Sequence, residues 1–398
     1  MNKPYQDSTF STTEPGSDPL EALARQGARQ MLQAALEAEV TEYLQRPRYE
    51  RGESGEHRGY RNGYLPERTL TLGSGAIAVK VPRVSDEPEG ERFQSSLIKP
   101  YQKRSQTVEE LFPKLFIEGL ATRDFEPALR TLLGSESALS PSTVSRLNQQ
   151  FKAEYEAWRK RSLSNSKIVY FYADGIYLSA GIGDEKACLL IVIGVDQMGV
   201  KHFLAVGEGY RESKESWLGV LRDLKQRGMN APALAIGDGA LGFWSALAEL
   251  FPMTKQQLCW LHKMRNILDK LPKKEHPEAV ERLRAIQRAS SRATAEKLAR
   301  LLIADWRKVF VEAAACLEMN LERLLNFYDF PSEHWRHLRT SNVIESPFAA
   351  VRLRTDAAKR FRTVKSGVHL IWQLLLKQEK KWLRFCGAEK CASVPLPE

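Results

Sequence analysis

Three acidic residues stand where their carboxylates could bind a divalent cation. Asp174 ends a run of β-forming residues that starts at residue 167, and Asp238 ends a second run that starts at residue 233. Glu345 stands at the start of a basic helical segment, 107 residues after Asp238, which itself follows Asp174 by 64 residues. Carboxylates at neighbouring strand ends converge, and Mg²⁺ prefers oxygen ligands. The first two acids therefore predict a magnesium site.

Each acid also has a structural interpretation. Asp174 followed by Gly175 is typical of a turn. Asn342 with Glu345 three residues later fits a capping box, in which the Glu side chain serves only the helix end.

The elements around these acids follow the order βββαβαβα. Strands are predicted at 167–173, 187–195 and 202–206, and then helix and strand alternate as 216–227, 233–236, 241–250, 256–260 and 262–270. This order predicts a mixed sheet covered by helices. Residues 271–330 are almost wholly helical with a break near Ser290, which is typical of an inserted helical domain.

The N-terminal third has a different composition. Residues 1–18 are predicted to be a disordered tail and residues 20–44 an amphipathic helix whose apolar face could pack on its own chain or on a second copy. Residues 46–68, including Arg61, are rich in Arg, Tyr and Gly, which suits either DNA contact or a polar linker. Residues 69–82 alternate like a β-hairpin that turns at Gly73 and Gly75.

Residues 122–133 and 141–151 resemble a helix-turn-helix, joined by a turn that contains Gly134. Ser140 would cap the second helix and Pro141 would occupy its first position. Because that helix enters the major groove in such motifs, it would present these side chains to base edges: Ser142, Thr143, Ser145, Arg146 and Gln149. Any helical hairpin would look similar.

Composition indicates an anionic partner. The 398 residues, 43% of them hydrophobic, suffice for two or three domains, and the net charge is +10. From residue 346 to the C-terminus, eleven Lys and Arg stand against four Asp and Glu, interleaved with aromatic residues. A helical face that contacts DNA phosphates needs such a surplus, and the predicted contacts are Arg352, Arg354, Lys359 and Arg360. The structural alternative is a solvated amphipathic helix.

Several classes are excluded or disfavoured. Collagen-like and low-complexity compositions are absent, no apolar run approaches the roughly 20 residues that cross a bilayer, and residues 1–13 lack a signal-like apolar core. We therefore expect a cytoplasmic, nucleoid-associated protein. Five scattered cysteines predict reduced thiols.

Two short motifs are typical of other binding sites. Residues 237–242 fit the glycine fingerprint of dinucleotide-binding proteins, but Asp238 would repel a pyrophosphate and the strand is the fourth, not the first. Cys259 and His262 have the spacing of zinc ligands, but a structural zinc needs about four ligands and no second pair is evident.

Four stretches, taken in order, resemble bacterial Mutator-type insertion-sequence transposases. They are 174–178 (DGIYL), 237–240 (GDGA), 259–272 (CWLHKMRNILDKLP) and 340–346 (TSNVIES), and 60–64 (YRNGY) also fits the family's sequence before its β-hairpin. The resemblance covers most of residues 40–385. Val343 and Pro347 depart from the Pro and Thr of the family pattern, and Pro347 could disturb the first turn of the helix that carries Glu345.

The resemblance implies a DDE enzyme with an RNase H-like core. Asp174, Asp238 and Glu345 would be catalytic and would bind two Mg²⁺ ions, with Mn²⁺ as a substitute. Residues 240–340 would form a helical insertion, and Cys259 and His262 would recur near the active site, where His262 could contact a DNA phosphate.

The predicted architecture is α/β, an RNase H-like mixed sheet interrupted by helices, behind an N-terminal, mainly helical DNA-binding region. The expected parts are a tail (1–18), a helix with a loop and β-hairpin (19–98), a helix-turn-helix-like domain (99–160), the catalytic core (165–270), a helical insertion (271–338) and a final basic helix (339–390). We expect strand cleavage and strand transfer at the ends of an insertion sequence by a homodimer on double-stranded DNA, without a membrane. An RNase H-like nuclease that only hydrolyses, and a helix-turn-helix repressor, remain alternatives.

Overall fold

The computed structural model describes residues 18–45, 59–118, 130, 141–179, 186–209, 211–358, 361 and 363–397, with the backbone alone at 116, 141–148 and 356–358. Contacts divide the chain into two compact units, Met1–Leu147 and Asn148–Glu398.

The first unit combines helices with two small antiparallel pairs of strands. Its elements are α1 (Pro19–Leu44), β1 (Tyr60–Tyr64), β2 (Arg68–Leu72), β3 (Gly75–Val79), β4 (Pro82–Ser85) and α2 (Gln106–Glu118). The predicted hairpin of β2 and β3 is confirmed. The pairing of β1 with β4 was not predicted, because β1 lies in a segment whose Gly and Arg content is typical of a loop. Residues 46–58 lie outside the described residues.

Helix α1 is confirmed and starts at a clear cap. Asp18 Oδ1 accepts a hydrogen bond from the Leu20 N–H at 3.0 Å, and Pro19 occupies the first helical position. The second half of α1 is buried through Leu36, Val40 and Leu44, while the first half leaves large apolar side chains exposed, namely Leu20, Leu23 and Met31.

Helix α3 (Pro141–Arg159) is longer than predicted. The helix-turn-helix prediction stays untested, since most of its first helix and its turn lie outside the described residues.

The second unit is built on one five-stranded mixed sheet. The strands are β5 (Ile168–Ser179), β6 (Lys186–Asp196), β7 (Lys201–Gly209), β8 (Leu234–Gly237) and β9 (Lys255–Leu258), in the order β7-β6-β5-β8-β9. Strand β6 is antiparallel to both neighbours, whereas β5, β8 and β9 are parallel to one another. The predicted succession of strands and helices is confirmed.

Some helices alternate with the strands of this sheet, and others come after its last strand in the chain. Helices α4 (Lys214–Gln226), α5 (Leu241–Leu250) and α6 (Trp260–Leu268) alternate with the last strands. A helical stretch then carries α7 (His276–Gln287), α8 (Arg292–Trp306), α9 (Val311–Glu318), α10 (Leu321–Leu325) and α11 (Trp335–Leu338). The break near Ser290 is confirmed, since Ser291 caps α8.

Two predictions about element bounds are wrong. Strand β5 does not end before Asp174 but continues to Ser179, because β6 pairs with it along its whole length. The final basic helix is two helices, α12 (Asn342–Ala358) and α13 (Val364–Glu379), and Thr363 caps the second.

Among the described residues, every helix is too short or too polar to span a lipid bilayer.

Candidate active site

The sheet directions bring several polar residues to one edge. Strands β7, β5, β8 and β9 run the same way, so their carboxyl ends share that edge. Tyr170 pairs with Leu234 and Tyr172 with Ile236, and the same register continued by two residues sets Asp174 level with Asp238. Although Asp174 lies inside β5, β8 has ended at that level.

Asp174 is a partly buried carboxylate among other carboxylates. Its Oδ1 accepts a hydrogen bond from the Gly175 N–H at 2.8 Å. Burial raises the pKa of Asp174 to about 7, and the negative charges of Asp238, Glu212 and Glu345 add to the rise. A carboxyl group this close to other acids favours a bound cation.

Asp238 is held by the start of helix α5. Its Oδ1 accepts from the Ala240 N–H at 2.9 Å, and its backbone carbonyl accepts from the Trp244 indole N–H at 2.8 Å. The side chain of Trp244 is buried, so its hydrogen bond fixes the backbone at Asp238, while the Ala240 N–H fixes the carboxylate.

Glu345 lies in the first turn of α12 and reaches the same site from a different element. Ser341 Oγ donates a hydrogen bond to Glu345 Oε1, and the Ser341 N–H contacts Cys259 Sγ at 3.3 Å. The Trp260 N–H donates to the Arg339 carbonyl at 2.9 Å. These contacts fasten the start of α12 to the end of β9. Because Glu345 bonds Ser341, the predicted capping box with Asn342 does not describe this helix end.

His262 lies between the sheet edge and Glu345. Its Nδ1 is 3.8 Å from Glu345 Oε1, and one ligand atom each of Cys259, His262 and Glu345 lie within 4.8 Å of one another. The hydrogen bond with the Cys259 sulfur raises the pKa of His262 to about 9, while burial acts to lower it. Burial acts to raise the pKa of the Cys259 thiol, but hydrogen bonds from His262 and Ser341 outweigh it.

Glu212 is an acidic neighbour that sequence reasoning missed. It follows β7, its Oε1 accepts from the Tyr177 hydroxyl at 3.3 Å, and burial together with the charge of Asp238 raises its pKa. The rule that polar residues gather at the carboxyl ends of parallel strands would have found it. To apply that rule, one must know that β7 runs in the same direction as β5. The sequence of three consecutive strands does not determine their directions in the sheet.

Carboxylate oxygens are the ligands that Mg²⁺ and Mn²⁺ prefer, and β5, the loop after β8 and α12 each carry one of the three carboxylates. Among the described residues, the group whose ligand atoms lie within 4.8 Å of one another is Cys259, His262 and Glu345, and Asp174 and Asp238 are not part of such a group. In the described residues no Lys or Arg forms an ion pair with Asp174 or Asp238 to neutralise these charges.

Comparison with known proteins identifies the chain's relatives. The family model described as "Transposase, Mutator family" matches residues 10–384. The chain belongs to this family.

Several curated relatives of this Mutator-family chain are insertion-sequence transposases. The transposase for insertion sequence element IS6120 of Mycolicibacterium smegmatis is 45% identical over 275 residues, which are 69% of this chain and 85% of the relative. That for IST2 of Acidithiobacillus ferrooxidans is 43% identical over 67% of this chain and 90% of its own length. That for ISRM5 of Rhizobium meliloti is 29% identical over 90% of this chain and 88% of its own length.

The predicted phosphate contacts of the Mutator-family chain fall into different environments. Arg352 is exposed on α12, whereas Arg354 is only 7% exposed. Burial lowers the pKa of Arg354. Because Arg354 shares the buried face of α12 with Phe348 and Val351, it does not present its guanidinium to solvent as predicted. Lys359 and Arg360 lie outside the described residues.

The N-terminal contacts of the family member are less exposed than predicted or not described. Arg61 donates to Glu37 Oε2 at 2.7 Å and to Thr41 Oγ1 at 2.6 Å, so its guanidinium is already engaged by α1. Thr143 and Arg146 stand on α3, but their side chains lie outside the described residues.

Proposed function

We propose that the protein is a DNA transposase that binds the ends of its insertion sequence and catalyses strand cleavage and strand transfer by a DDE mechanism. Asp174, Asp238 and Glu345 are the proposed catalytic residues. The observation that carries the proposal is that Asp174 and Asp238 are level at one sheet edge, in a chain of the Mutator transposase family, while Glu345 lies beside His262 after the end of β9.

Divalent cations, two Mg²⁺ ions or Mn²⁺ in their place, would activate the attacking oxygen and stabilise the leaving oxygen of an in-line displacement. Asp174, Asp238 and Glu345 would hold these ions, and no protein nucleophile is required. Water would first attack the phosphorus at the end of the insertion sequence, and the bond from that phosphorus to the 3′-oxygen would break to leave a 3′-hydroxyl. That hydroxyl would then attack a phosphodiester of the target, whose own 3′-oxygen would leave.

Neighbouring residues would orient these groups. Ser341 fixes Glu345 by its hydrogen bond, and Asp238 is fixed by the Ala240 N–H. His262, beside Glu345, would donate to a DNA phosphate at the edge of the site. A protonated imidazole among carboxylates would favour the approach of a polyanion, and the raised pKa of His262 supports that role.

We assign the sheet of the second unit to an RNase H-like core interrupted by an inserted helical domain. Support comes from the strand order and from the helical stretch α6 to α11, which separates the second carboxylate from the third. The stretch returns to the sheet, since the amide of Gln257 on β9 donates to the Leu324 carbonyl at 3.1 Å. If both ends of the insertion lie at the sheet, the second and third carboxylates can belong to one site although the helical stretch separates them in the chain.

DNA binding is assigned to exposed basic residues, with Arg352 as the best supported. Thr143, Arg146, Lys359 and Arg360 remain proposed contacts. Because an insertion sequence has two ends, we propose at least a homodimer on double-stranded DNA. The exposed apolar side chains in the first half of α1 suit such an interface.

Strand mapping on DNA that carries both flanks of the gene tests the function. Purified protein is incubated with Mg²⁺ or Ca²⁺, and new 3′-ends and joined strands are mapped for the wild type and for Asp238→Asn. We expect joining at fixed end positions that requires Mg²⁺ and Asp238.

Other outcomes would replace the proposal. Cleavage without joining would indicate an RNase H-like nuclease. Sequence-specific binding without cleavage would indicate a DNA-binding protein of the repressor class.

A further inference from the structure

Three side chains of different chemistry converge where the helical stretch leaves and rejoins the sheet. Cys259 directly follows β9 and precedes α6, and His262 lies in the first turn of α6. Glu345 lies in the first turn of α12, so helices α7 to α11 separate it from His262 in the chain. One ligand atom of each side chain lies within 4.8 Å of the other two. The fold thus supplies a third ligand type that the spacing of Cys259 and His262 alone lacked.

The separations suit three ligands of one tetrahedral ion. Zn²⁺ binds sulfur at about 2.3 Å and nitrogen or oxygen at about 2.0–2.2 Å, which places neighbouring ligand atoms roughly 3.3–3.7 Å apart. His262 Nδ1 and Glu345 Oε1 are 3.8 Å apart, which is too far for a hydrogen bond but close to that range. Nδ1 is shielded from solvent and makes no hydrogen bond of normal length in the described chain, so it can supply a lone pair to an ion.

Ser341 holds two of the three ligands from outside the group. Its Oγ donates to Glu345 Oε1, and its N–H contacts Cys259 Sγ at 3.3 Å. Hydrogen bonds of this kind orient the ligands around a metal ion. Both the Ser341 bond and the approach to His262 use Oε1, so Oε2 of Glu345 stays available to the proposed catalytic centre.

The ligand types favour a borderline cation over Mg²⁺. Thiolate sulfur and imidazole nitrogen suit Zn²⁺ and its neighbours among the transition metals, whereas Mg²⁺ prefers oxygen. A thiolate and a carboxylate together carry two negative charges, which one divalent ion offsets. The side chains of His262 and Glu345 are 31% and 32% exposed, so an ion can reach the group from solvent although Cys259 is buried. Three protein ligands leave a fourth position for water, as in open zinc sites.

We propose that Cys259, His262 and Glu345 bind a divalent cation of the Zn²⁺ type, which joins the end of β9 and the start of α6 to the start of α12. The inference goes beyond the proposed function and does not depend on it, because this site takes a different class of cation. Its role is to tie together the two ends of the helical stretch. Because a bound ion adds its binding free energy to that of folding, occupancy should stabilise the protein.

Cobalt spectroscopy of the full-length, reduced protein tests the site without DNA. Co²⁺ stands in for Zn²⁺ and gives a thiolate-to-metal charge-transfer band only when a cysteine binds it. We expect this band in the wild type and its loss in Cys259→Ser. His262→Gln and Glu345→Gln should each weaken Co²⁺ binding by more than about 100-fold, because loss of an outer hydrogen-bond partner alone costs about 10- to 100-fold.

Matched controls come from a cysteine and a glutamate outside the group. Cys316→Ser, on α9, and Glu208→Gln, at an exposed position of β7, should leave the band and the Co²⁺ affinity unchanged. Ser341→Ala removes the hydroxyl that donates to Glu345, and it should weaken Co²⁺ binding by about 10- to 100-fold.

Thermal unfolding with and without Zn²⁺ separates metal binding from a loss of fold. Each variant is compared with its own metal-free melting temperature, so a variant that is less stable without metal still gives a result. Zn²⁺ should raise the melting temperature of the wild type and of Cys316→Ser and leave that of Cys259→Ser unchanged.

Three results would overturn the inference. Binding of neither Co²⁺ nor Zn²⁺ by the wild type would reject the site, and strand mapping in Mg²⁺ would still decide the proposed function. A charge-transfer band that survives Cys259→Ser would place the ion at another cysteine. Wild-type Co²⁺ affinity in His262→Gln or Glu345→Gln would contradict the three-ligand site. Conversely, Zn²⁺ binding at these residues without Mg²⁺-dependent cleavage would support the inference and reject the proposed function.

Discussion

At the scale of single residues, the site depends on how each carboxylate is held. Asp174 and Asp238 are held by backbone N–H groups one and two residues later, which the local sequence supplies. Glu345 depends on a side chain instead, since Ser341 Oγ is its hydrogen-bond donor. Ser341 is itself 1% exposed and contacts Cys259. A change at Ser341 should therefore misplace Glu345 without altering any carboxylate.

Ser341→Ala should reduce DNA cleavage about 10- to 100-fold, because a misoriented ligand weakens the site. Loss of one hydrogen bond should also lower the free energy of unfolding by about 1 kcal/mol. Single-turnover cleavage and thermal unfolding measure the two effects. Ser366→Ala is the control, since Ser366 bonds Thr363 at the start of α13 and lies on a different helix. Equal cleavage by the two variants would show that Ser341 does not position Glu345.

At the scale of elements, the approach of Asp174 and Asp238 to one sheet edge could be predicted from sequence, but the end of β5 and the direction of β7 could not. Alternating strands and helices predict a sheet edge, and the runs before Asp174 and Asp238 predict that both acids approach it. The end of β5 was mispredicted because pairing with β6 extends a strand through Asp174 and Gly175, residues that locally favour a turn. Glu212 was missed because strand direction depends on distant pairing.

The glycine motif at residues 237–242 illustrates the same limit. In the structure Gly242 allows α5 to approach the backbone around Glu212, since a methyl group there would lie 2.1 Å from the Glu212 carbonyl oxygen. The glycine thus serves packing between two elements that carry acids. No local pattern distinguishes that need from a phosphate-binding turn.

Gly242→Ala should lower the free energy of unfolding by about 1–3 kcal/mol, because the added methyl group meets rigid backbone. Gly219→Ala is the matched control at an exposed position of α4, where a methyl group meets nothing within 4 Å. It should raise the free energy of unfolding by about 0.5–1 kcal/mol, since Ala is the better helix former. Chemical denaturation measures both. Equal stability of the two variants would contradict the close approach at Gly242.

Helix α12 offers a second paired prediction, because its two arginines face different surroundings. Arg352→Ala should weaken DNA binding and reduce the salt dependence by about one phosphate contact, with little change in melting temperature. Arg354→Ala should instead lower stability by about 1–3 kcal/mol, because its buried side chain packs in the protein. Binding isotherms at several salt concentrations and thermal unfolding separate them. Stable Arg354→Ala protein with impaired DNA binding would reverse the assignment.

At the scale of the whole molecule, the net positive charge attracts DNA, whereas the carboxylates of the proposed site repel it. The chain carries +10 overall, yet its proposed site gathers carboxylates at one edge of the central sheet. A basic protein surface draws DNA by long-range attraction, whereas the acidic site needs cations before phosphate can enter. Net charge and composition predicted the first property. The gathering of carboxylates at one edge could be seen only in the folded structure, because the acids are spread over residues 174 to 345 of the chain.

We propose that Asp174, Asp238 and Glu345 form one cation-dependent catalytic centre. The most direct measurement compares single-turnover cleavage with end binding for Asp174→Asn, Asp238→Asn and Glu345→Gln, beside Glu208→Gln, on the same end DNA in Mg²⁺. We expect each of the three to lose cleavage by more than about 100-fold while end binding stays near that of the wild type, and the control to behave as the wild type. Wild-type cleavage by any one of the three, or loss of end binding in all three, would contradict the claim.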